Sequence, residues 1–366
     1  MKLSSWKIKG CVSILLTGLF TRALIPCIVS LSQIPLAMAT SQASPQVEKA
    51  SLPSFNADIS KTTISGLSSG AFMAVQMHVA HSATFRGIGV FAGGPYFCSE
   101  GKFENAVKRC MAAETLPNAE DLAEWTKALA KIKKIDPIEN LAETKVWLLS
   151  GTADKTVHPP VVKVLKDYYA HFVVKPDNIF GSFDLAAGHA LITENQGNDC
   201  SDSKLPFINQ CKYDGAGKLL SHLYGKLTAP SDKAEGEIIE FDQNEFVDNK
   251  GASEISMAEK GYVYVPQICN KEKCGIHVFL HGCKQYAGLI GKQVIEQGGF
   301  NRWADTNKLI ILYPQTIAMA NPNKIKDKQN PFGCWDWWGY SDSDFYSKDA
   351  PQIKAIMKMV NRLVKA

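Results

Sequence analysis

Gly66-Leu67-Ser68-Ser69-Gly70 reads G-x-S-x-G and stands close to the front of the chain. That pattern belongs on a sharp strand-to-helix turn, which pushes the central serine outward beside oxyanion donors. The flanks agree with such a turn. Residues 61–64 are β-prone, and residues 71–80 continue as a helix through Phe72, Val75, Met77 and Val79. The position is odd, because a serine of this kind normally follows several strands of its sheet and here there is no room for them. Gly-Ser-Gly clusters are also ordinary loop material. The pentapeptide therefore needs partners downstream, and the missing strands must lie elsewhere in the chain.

With 366 residues the chain suffices for one large domain or two small ones. Its first fifty residues differ from the rest. Lys2, Lys7 and Lys9 precede the apolar run 11–20, and Ala37-Met38-Ala39 offers a small-residue cleavage site, the order of a secretory signal peptide. We expect a signal peptide over 1–39, a flexible Ser-, Gln- and Pro-rich lead-in over 40–55, and a single catalytic domain over 56–366. Two other readings of the leader are weaker. A lipoprotein site at Leu24-Ile25-Pro26-Cys27 places proline where a small residue belongs. A retained anchor would need about 20 uninterrupted apolar residues, and Arg22 interrupts this run.

Charge follows the leader. Lys2, Lys7, Lys9 and Arg22, with no acidic residue among positions 1–39, account for the whole formal net charge of +4. The remainder is balanced, which argues against a nucleic-acid surface; a stable membrane partner is not expected either. Beyond the leader lie Cys98, Cys110, Cys200, Cys211, Cys269, Cys274, Cys283 and Cys334. An even count in an exported chain points to disulfides rather than thiols. Local pairing gives 98–110, 200–211 and 269–274 and leaves 283–334 as a long-range clamp, although eight cysteines allow about 105 connectivities. No C-x2-C or paired-histidine spacing supports zinc, and neither a metal nor an organic cofactor is expected.

Strand and helix patterns alternate along the chain. Strands are expected at 88–91, 145–149, 178–185, 261–266, 276–280 and 309–313. Helices are expected over most of 103–134 and at 159–172, 214–224, 292–307 and 349–364. Alternation of this kind implies a mostly parallel sheet covered by helices on both faces. The charged stretch 226–256 reads as a linker.

A serine nucleophile needs a base for its proton and a carboxylate to hold that base in the right tautomer. Asp154 follows the strand at 145–149 in Gly151-Thr152-Ala153-Asp154, and His189 follows the next strand in Gly188-His189-Ala190. Loops at the carboxyl ends of parallel strands are where such sheets keep their active sites. The order Ser68, Asp154, His189 is that of an α/β-hydrolase triad. Taken alone, Asp154 also fits a turn or N-cap before the helix at 159, and a lone histidine is more often structural. His189 stands apart from His78, His81, His158, His171, His222, His277 and His281 because it follows both a strand and the acid.

His281-Gly282-Cys283 comes directly after the strand at 276–280. In α/β-hydrolases a turn of this type supplies the second oxyanion amide and normally precedes the nucleophile. Here it comes about 210 residues later, the signature of a circularly permuted α/β-hydrolase fold. The oxyanion hole is accordingly assigned to the backbone amides of Ser69 and Cys283. The stretch 330–340, rich in Gly and Pro, holds Trp335, Trp337, Trp338 and Tyr340. At least one of these rings belongs to the core, and the loop is expected to display others on the surface for an apolar or polymeric ligand.

The segments Gly66-Leu67-Ser68-Ser69-Gly70-Ala71-Phe72-Met73-Ala74, Gly151-Thr152-Ala153-Asp154-Lys155-Thr156-Val157-His158-Pro159, Gly188-His189, Leu280-His281-Gly282-Cys283, Tyr313-Pro314-Gln315 and Cys334-Trp335-Asp336-Trp337-Trp338 together resemble the extracellular poly(3-hydroxybutyrate) depolymerases. They are most similar to the single-domain fungal type with its circularly permuted α/β-hydrolase fold. The resemblance covers nearly all of residues 55–366. It implies Ser68 as nucleophile, Asp154 as orienting acid, His189 as base, and the Ser69 and Cys283 amides as oxyanion donors. It also places a tryptophan of the 335–338 cluster beside the bound monomer units. Ala71 departs from the further glycine that many relatives carry, and 226–256 has no clear counterpart. The expectation is a secreted, monomeric serine esterase for poly(3-hydroxybutyrate) or related aliphatic oligo- and polyesters. The competing expectations are an esterase for feruloyl or acetyl esters on polysaccharide, and a catalytically inactive hydrolase-like binding protein.

Overall fold

Thr62–Leu67 forms β1, and every one of its residues is buried. It lies inside a sheet with a parallel neighbour on each side, and a strand covered on both faces loses the apolar–polar alternation of a surface strand. The chain is described by a computed structural model covering residues 50–248, 251–319 and 329–366. The expected signal peptide at 1–39 and the lead-in at 40–49 lie outside the described residues. Residues 50–55 pack: Leu52 is buried, and the Phe55 and Ala57 amides donate to the Leu363 carbonyl.

After β1 come α1 (Ser69–Ala80), β2 (Phe85–Phe91), α2 (Phe103–Lys108), α3 (Ala119–Lys131), β3 (Lys145–Leu149), α4 (Pro159–Ala170) and β4 (Ile179–Ser182). Three short strands follow, β5 (Leu191–Thr193), β6 (Asn198–Asp199) and β7 (Ile208–Gln210), and then α5 (Gly215–Tyr224). The second half holds β8 (Glu237–Asp242), β9 (Lys260–Val265), β10 (Gly275–Leu280), α6 (Ala287–Ile290), α7 (Gln293–Gln297), α8 (Phe300–Asn307), β11 (Leu309–Tyr313) and α9 (Pro351–Val364). Eight strands make one sheet in the order β4-β3-β2-β1-β10-β11-β9-β8, and β5-β7-β6 make a small second one. The large sheet is parallel from β4 to β11; β9 and β8 are antiparallel. Helix α1 packs on β1, β2 and β10, and α4 on β3 and β4 with α3 against α4; α5 packs on β2 and β3, and α8 on β9 and β11.

Four expectations change. Residues 226–256 are not a linker: they supply β8, which pairs with β9 from Glu237↔Val265 to Asp242↔Lys260 and closes one edge of the sheet. Two long helical stretches are divided. The 292–307 stretch breaks at Gly298-Gly299, where Gly299 takes a left-handed φ of 87° that ends regular helix. The 103–134 stretch becomes α2 and α3, with Asn118 capping the second through its side-chain oxygen, which accepts from the Glu120 and Asp121 amides. The 178–185 strand shortens to β4.

All eight cysteines among the described residues are paired. The bridges are Cys98–Cys110, Cys200–Cys211, Cys269–Cys274 and Cys283–Cys334, the set that local pairing gives.

Two histidines hold the interior together without charge. His277 on β10 lies opposite Thr63; its Nδ1 is 2.7 Å from the Thr63 hydroxyl and its Nε2 is 2.7 Å from the Ser65 hydroxyl. His78 on α1 bridges the Tyr169 hydroxyl and the Thr144 hydroxyl at 2.9 and 2.7 Å. Neither has a carboxylate partner, and burial drives each pKa down to about 3. Both are neutral in the folded chain, while in the unfolded chain they take up protons near pH 6.5. As pH falls from 6.5 toward 3, protons bind the unfolded state first, so folding stability falls by up to about 1.4 kcal/mol per pH unit for each histidine. Urea unfolding between pH 7 and 4 measures this slope. The His277→Gln variant should show a shallower slope than the native chain; an unchanged slope would remove His277 from the account.

The two elbow glycines are set by close approach. A Cβ on Gly66 would lie 2.4 Å from the backbone of Gly70, and one on Gly70 would lie 2.1 Å from the Leu280 carbonyl oxygen. The clash at Gly70 is with backbone, which cannot swing away. Gly70→Ala should therefore lose about 1–3 kcal/mol by overpacking, read as a lower urea midpoint at unchanged m-value.

Candidate active site

β1 ends at Leu67 and α1 begins at Ser69, so the turn between them is a single residue. That residue, Ser68, has φ 57° and ψ −124°. A side chain other than glycine at such a φ costs about 1–3 kcal/mol and persists only where the surroundings enforce it. The enforcement is visible. The Ser68 amide donates to the Phe91 carbonyl at 3.0 Å, and the Phe72 amide donates to the Ser68 carbonyl at 3.0 Å, opening the helix.

The same end of the sheet carries Asp154 and His189. The Ala92 amide, just past β2, donates to the Leu149 carbonyl at the end of β3. The loop after β3 then brings Asp154 into the interior, where its side chain is fully covered. Asp154 Oδ1 accepts from the Thr156 and Val157 amides at 2.8 and 3.0 Å, and Oδ2 lies 2.8 Å from His189 Nδ1. A carboxylate only accepts, so Nδ1 carries the hydrogen and Nε2 keeps its lone pair while the ring is neutral. His189 is fixed from behind as well: its own amide donates to the Ser203 hydroxyl at 2.8 Å, and the Ala153 amide donates to the Ala187 carbonyl at 3.1 Å. Asp154 thus closes its own turn, as a capping residue does, and holds a histidine with the oxygen left over.

The turn after β10 lies against Ser68. A Cβ on Gly282 would be 3.3 Å from the Ser68 Cβ and 3.3 Å from the Leu67 carbonyl oxygen, so a side chain there would crowd Ser68. The Gly282 amide is committed to Gln285 Oε1 at 2.7 Å. Gln285 is itself held, donating to the Pro206 and Phe207 carbonyls at 3.0 Å each. Ser69 opens α1, so its amide is one of the helix's orphan donors and stands next to Ser68.

The aromatic loop corrects an expectation. Trp335, Trp337 and Trp338 are 0%, 5% and 6% exposed, so the loop folds its rings inward rather than displaying them. Trp335 Nε1 donates to the His281 carbonyl at 3.0 Å. Trp337 stacks on Phe72 with centroids 4.0 Å apart and planes 12° from parallel. Asp336 organises the backbone: its carboxylate accepts from the Gly339, Tyr340 and Ser341 amides and from the Ser341 hydroxyl, at 2.6–3.0 Å. Burial pushes its pKa up, against the pull of the Ser341 hydroxyl and these amides. Asp336 and Gln285 carry no pattern in the sequence that would have singled them out.

Among the described residues no group of three or more His, Cys, Asp or Glu side chains is placed to hold a metal ion. His158, near the acid in sequence, is the N-cap residue of α4.

Comparison with known proteins gives the frame for this geometry. No family model matches the chain. It is 44% identical over 318 residues to a poly(3-hydroxybutyrate) depolymerase of Delftia acidovorans, an alignment that takes in 85% of this chain and 61% of that protein, so the chain spans less than two thirds of that relative. It is 37% identical over 333 residues to a polyhydroxybutyrate depolymerase of Talaromyces funiculosus, covering 87% of this chain and 94% of the relative. Two solved structures superpose with a TM-score of 0.77 at 36% identity, over 86% of this chain and 99% of theirs. One is a PHB depolymerase from Penicillium funiculosum, and the other is a serine-to-alanine variant of a PHB depolymerase complexed with an R3HB trimer. The fold is therefore an α/β fold of the depolymerase type, and identity at this level along almost the full length of the Talaromyces enzyme places the chain: it belongs to the polyhydroxybutyrate depolymerase family.

Proposed function

We propose that the chain is a secreted serine esterase that hydrolyses poly(3-hydroxybutyrate) and its oligomers through an acyl-enzyme. The observation that carries this reading is the buried Asp154–His189 pair at 2.8 Å, at the same end of the sheet as the strained Ser68, in a chain of the depolymerase family. Four disulfides support an oxidising compartment. One chain supplies every group the chemistry needs, so we propose a monomer acting on polyester.

The mechanism runs as follows. His189 Nε2 takes the Ser68 proton as the serine oxygen attacks the ester carbonyl, and the carbonyl π pair moves onto oxygen. The Ser69 and Cys283 amides hold that oxyanion, each donor being worth about 3 kcal/mol or more in the transition state. The carbon–oxygen bond to the leaving alkoxide then breaks, and the imidazolium returns its proton to that oxygen. Asp154 steadies the imidazolium through Nδ1–H. Water follows the same path in reverse: His189 takes its proton, the hydroxide attacks the acyl carbonyl, and the acid leaves with Ser68 restored. Of the three tryptophans, Trp337 and Trp338 are proposed to touch the bound acyl unit by an edge. Trp335, wholly covered, acts as a brace.

Clearing of poly(3-hydroxybutyrate) granules, measured beside turnover of soluble feruloyl, acetyl and butyryl esters, tests the reading. Granules should be cleared by the native chain and not by Ser68→Ala, and a fluorophosphonate should label Ser68. Asp154→Asn should keep the fold and lower kcat by about 10⁴, as a wrong histidine tautomer does. Granule clearing that survives Ser68→Ala would overturn the mechanism, and turnover of feruloyl or acetyl esters without granule clearing would overturn the substrate.

A further inference from the structure

The Cys283 amide can donate to an oxyanion only if something aims it. That amide shares one peptide unit with the Gly282 carbonyl. In a trans peptide the C=O and N–H point in opposite directions, so whatever grips the carbonyl also sets the direction of the N–H. The Gly282 carbonyl oxygen lies 2.8 Å from His281 Nδ1. A carbonyl can only accept, so Nδ1 must carry the hydrogen.

The other ring nitrogen is settled independently. The Thr316 amide lies 3.2 Å from His281 Nε2 and can only donate, so Nε2 must present its lone pair. The Thr316 hydroxyl is nearby at 3.3 Å, but it donates to the Gly333 carbonyl at 2.6 Å and has no second proton to give. Two backbone groups, one on each side of the ring, thus select a single neutral tautomer. The ring is 1% exposed, and burial pushes its pKa down to about 4, against the pull of the Gly282 carbonyl.

We propose that His281 is a positioning residue for the ester hydrolysis assigned to Ser68: its Nδ1–H holds the Gly282 carbonyl so that the Cys283 amide of the same peptide faces the oxyanion. The inference rests on the assignment of that amide to the oxyanion hole. The peptide before it is pinned too, with Trp335 Nε1 on the His281 carbonyl and Gln285 Oε1 on the Gly282 amide. His281 supplies the remaining constraint, the one on the donating peptide itself.

Asparagine places an N–H where Nδ1 stands, glutamine places one near Nε2, and alanine places none. Turnover of a soluble butyryl ester and of 3-hydroxybutyrate oligomers by His281→Asn, His281→Gln and His281→Ala separates these cases, with Ser68→Ala as the control for the underlying mechanism. His281→Ala and His281→Gln should lower kcat by about 10- to 100-fold, somewhat less than deleting an oxyanion donor outright, with KM unchanged within about twofold. His281→Asn should recover most of the loss. A boronic acid, whose tetrahedral adduct places an oxygen in the same hole, should lose affinity in the same order. Equal losses for alanine and asparagine, or a loss confined to KM, would overturn the proposal. If the alanine variant fails to fold, the nitrogen-15 shifts of the native His281 ring decide: protonation at Nε2 instead of Nδ1 would sink the inference. Residual turnover in Ser68→Ala would instead count against the serine mechanism and leave the His281 tautomer unaffected.

Discussion

The parallel pairing of β1 with β10 is the constraint on which the rest of the molecule depends. Its register runs from Thr62↔Ile276 to Gly66↔Leu280. Ser68 stands two residues beyond Gly66, and Gly282 stands two residues beyond Leu280, so the register alone brings Ser68 and the 281–283 turn level. A slip by one residue would turn every side chain of β1 to the wrong face and separate the two. The partners lie more than two hundred residues apart in sequence. Loop-closure entropy grows only logarithmically with length, so this separation costs little more than a short connection would. The elbow glycines follow from the same pairing. Gly70 sits where α1 meets the Leu280 and His281 carbonyls, and any side chain there would push the helix off the strand pair.

Four buried histidines show how partners decide chemistry. His78 and His277 lie between hydroxyls, and His281 lies between a carbonyl and an amide. In each, burial dominates and the imidazole stays neutral. His189 alone among these four has a carboxylate on Nδ1. A carboxylate stabilises the imidazolium, which a hydroxyl or an amide cannot do to the same degree. The difference between a base that can carry a proton through a reaction and a ring that only fills and orients is thus set by one neighbouring side chain.

Much of this was legible in the sequence because chemistry had concentrated it. Ser68 is marked by glycines that close approach demands, Asp154 and His189 by their places after strands, and Cys283 by the turn after β10. The displaced order of these pieces carried the permutation. What was hidden depended on contacts between distant segments. β8 is hard to tell from a charged loop because an edge strand with one solvent-facing side, Glu237-Ile238-Ile239-Glu240-Phe241-Asp242, has too weak an alternation. The 292–307 helix looked continuous because its apolar spacing persists through the Gly298-Gly299 break. The tryptophans of 335–338 suggested display because their loop is rich in Gly and Pro, and nothing local shows that Phe72, Gln76 and His281 wait to cover them. Gln285 and the ring of His281 were invisible as functional groups for the same reason.

The burial of that loop follows from the needs of the turn it covers. An oxyanion donor is useful only if it is aimed before charge develops, since reorientation during the reaction would cost what the donor gains. The Ser69 amide, proposed as one donor, takes its direction from a helix. The Cys283 amide, proposed as the other, has no such support, because 281–286 lies between β10 and α6 and belongs to no regular element. Its backbone must be held by side chains from elsewhere, and each must be held in turn. Trp335 reaches the His281 carbonyl; Gln76 on α1 donates to the Asp336 carbonyl at 3.0 Å; Asp336 gathers the amides of 339–341. The Cys283–Cys334 bridge joins the two segments covalently with Cα atoms 4.3 Å apart. Indoles suit this work because they fill volume with few rotatable bonds and carry one N–H for a fixed acceptor. The tryptophan-rich loop is in this sense the missing secondary structure of the oxyanion turn, supplied from 330–340 because the turn cannot supply it itself.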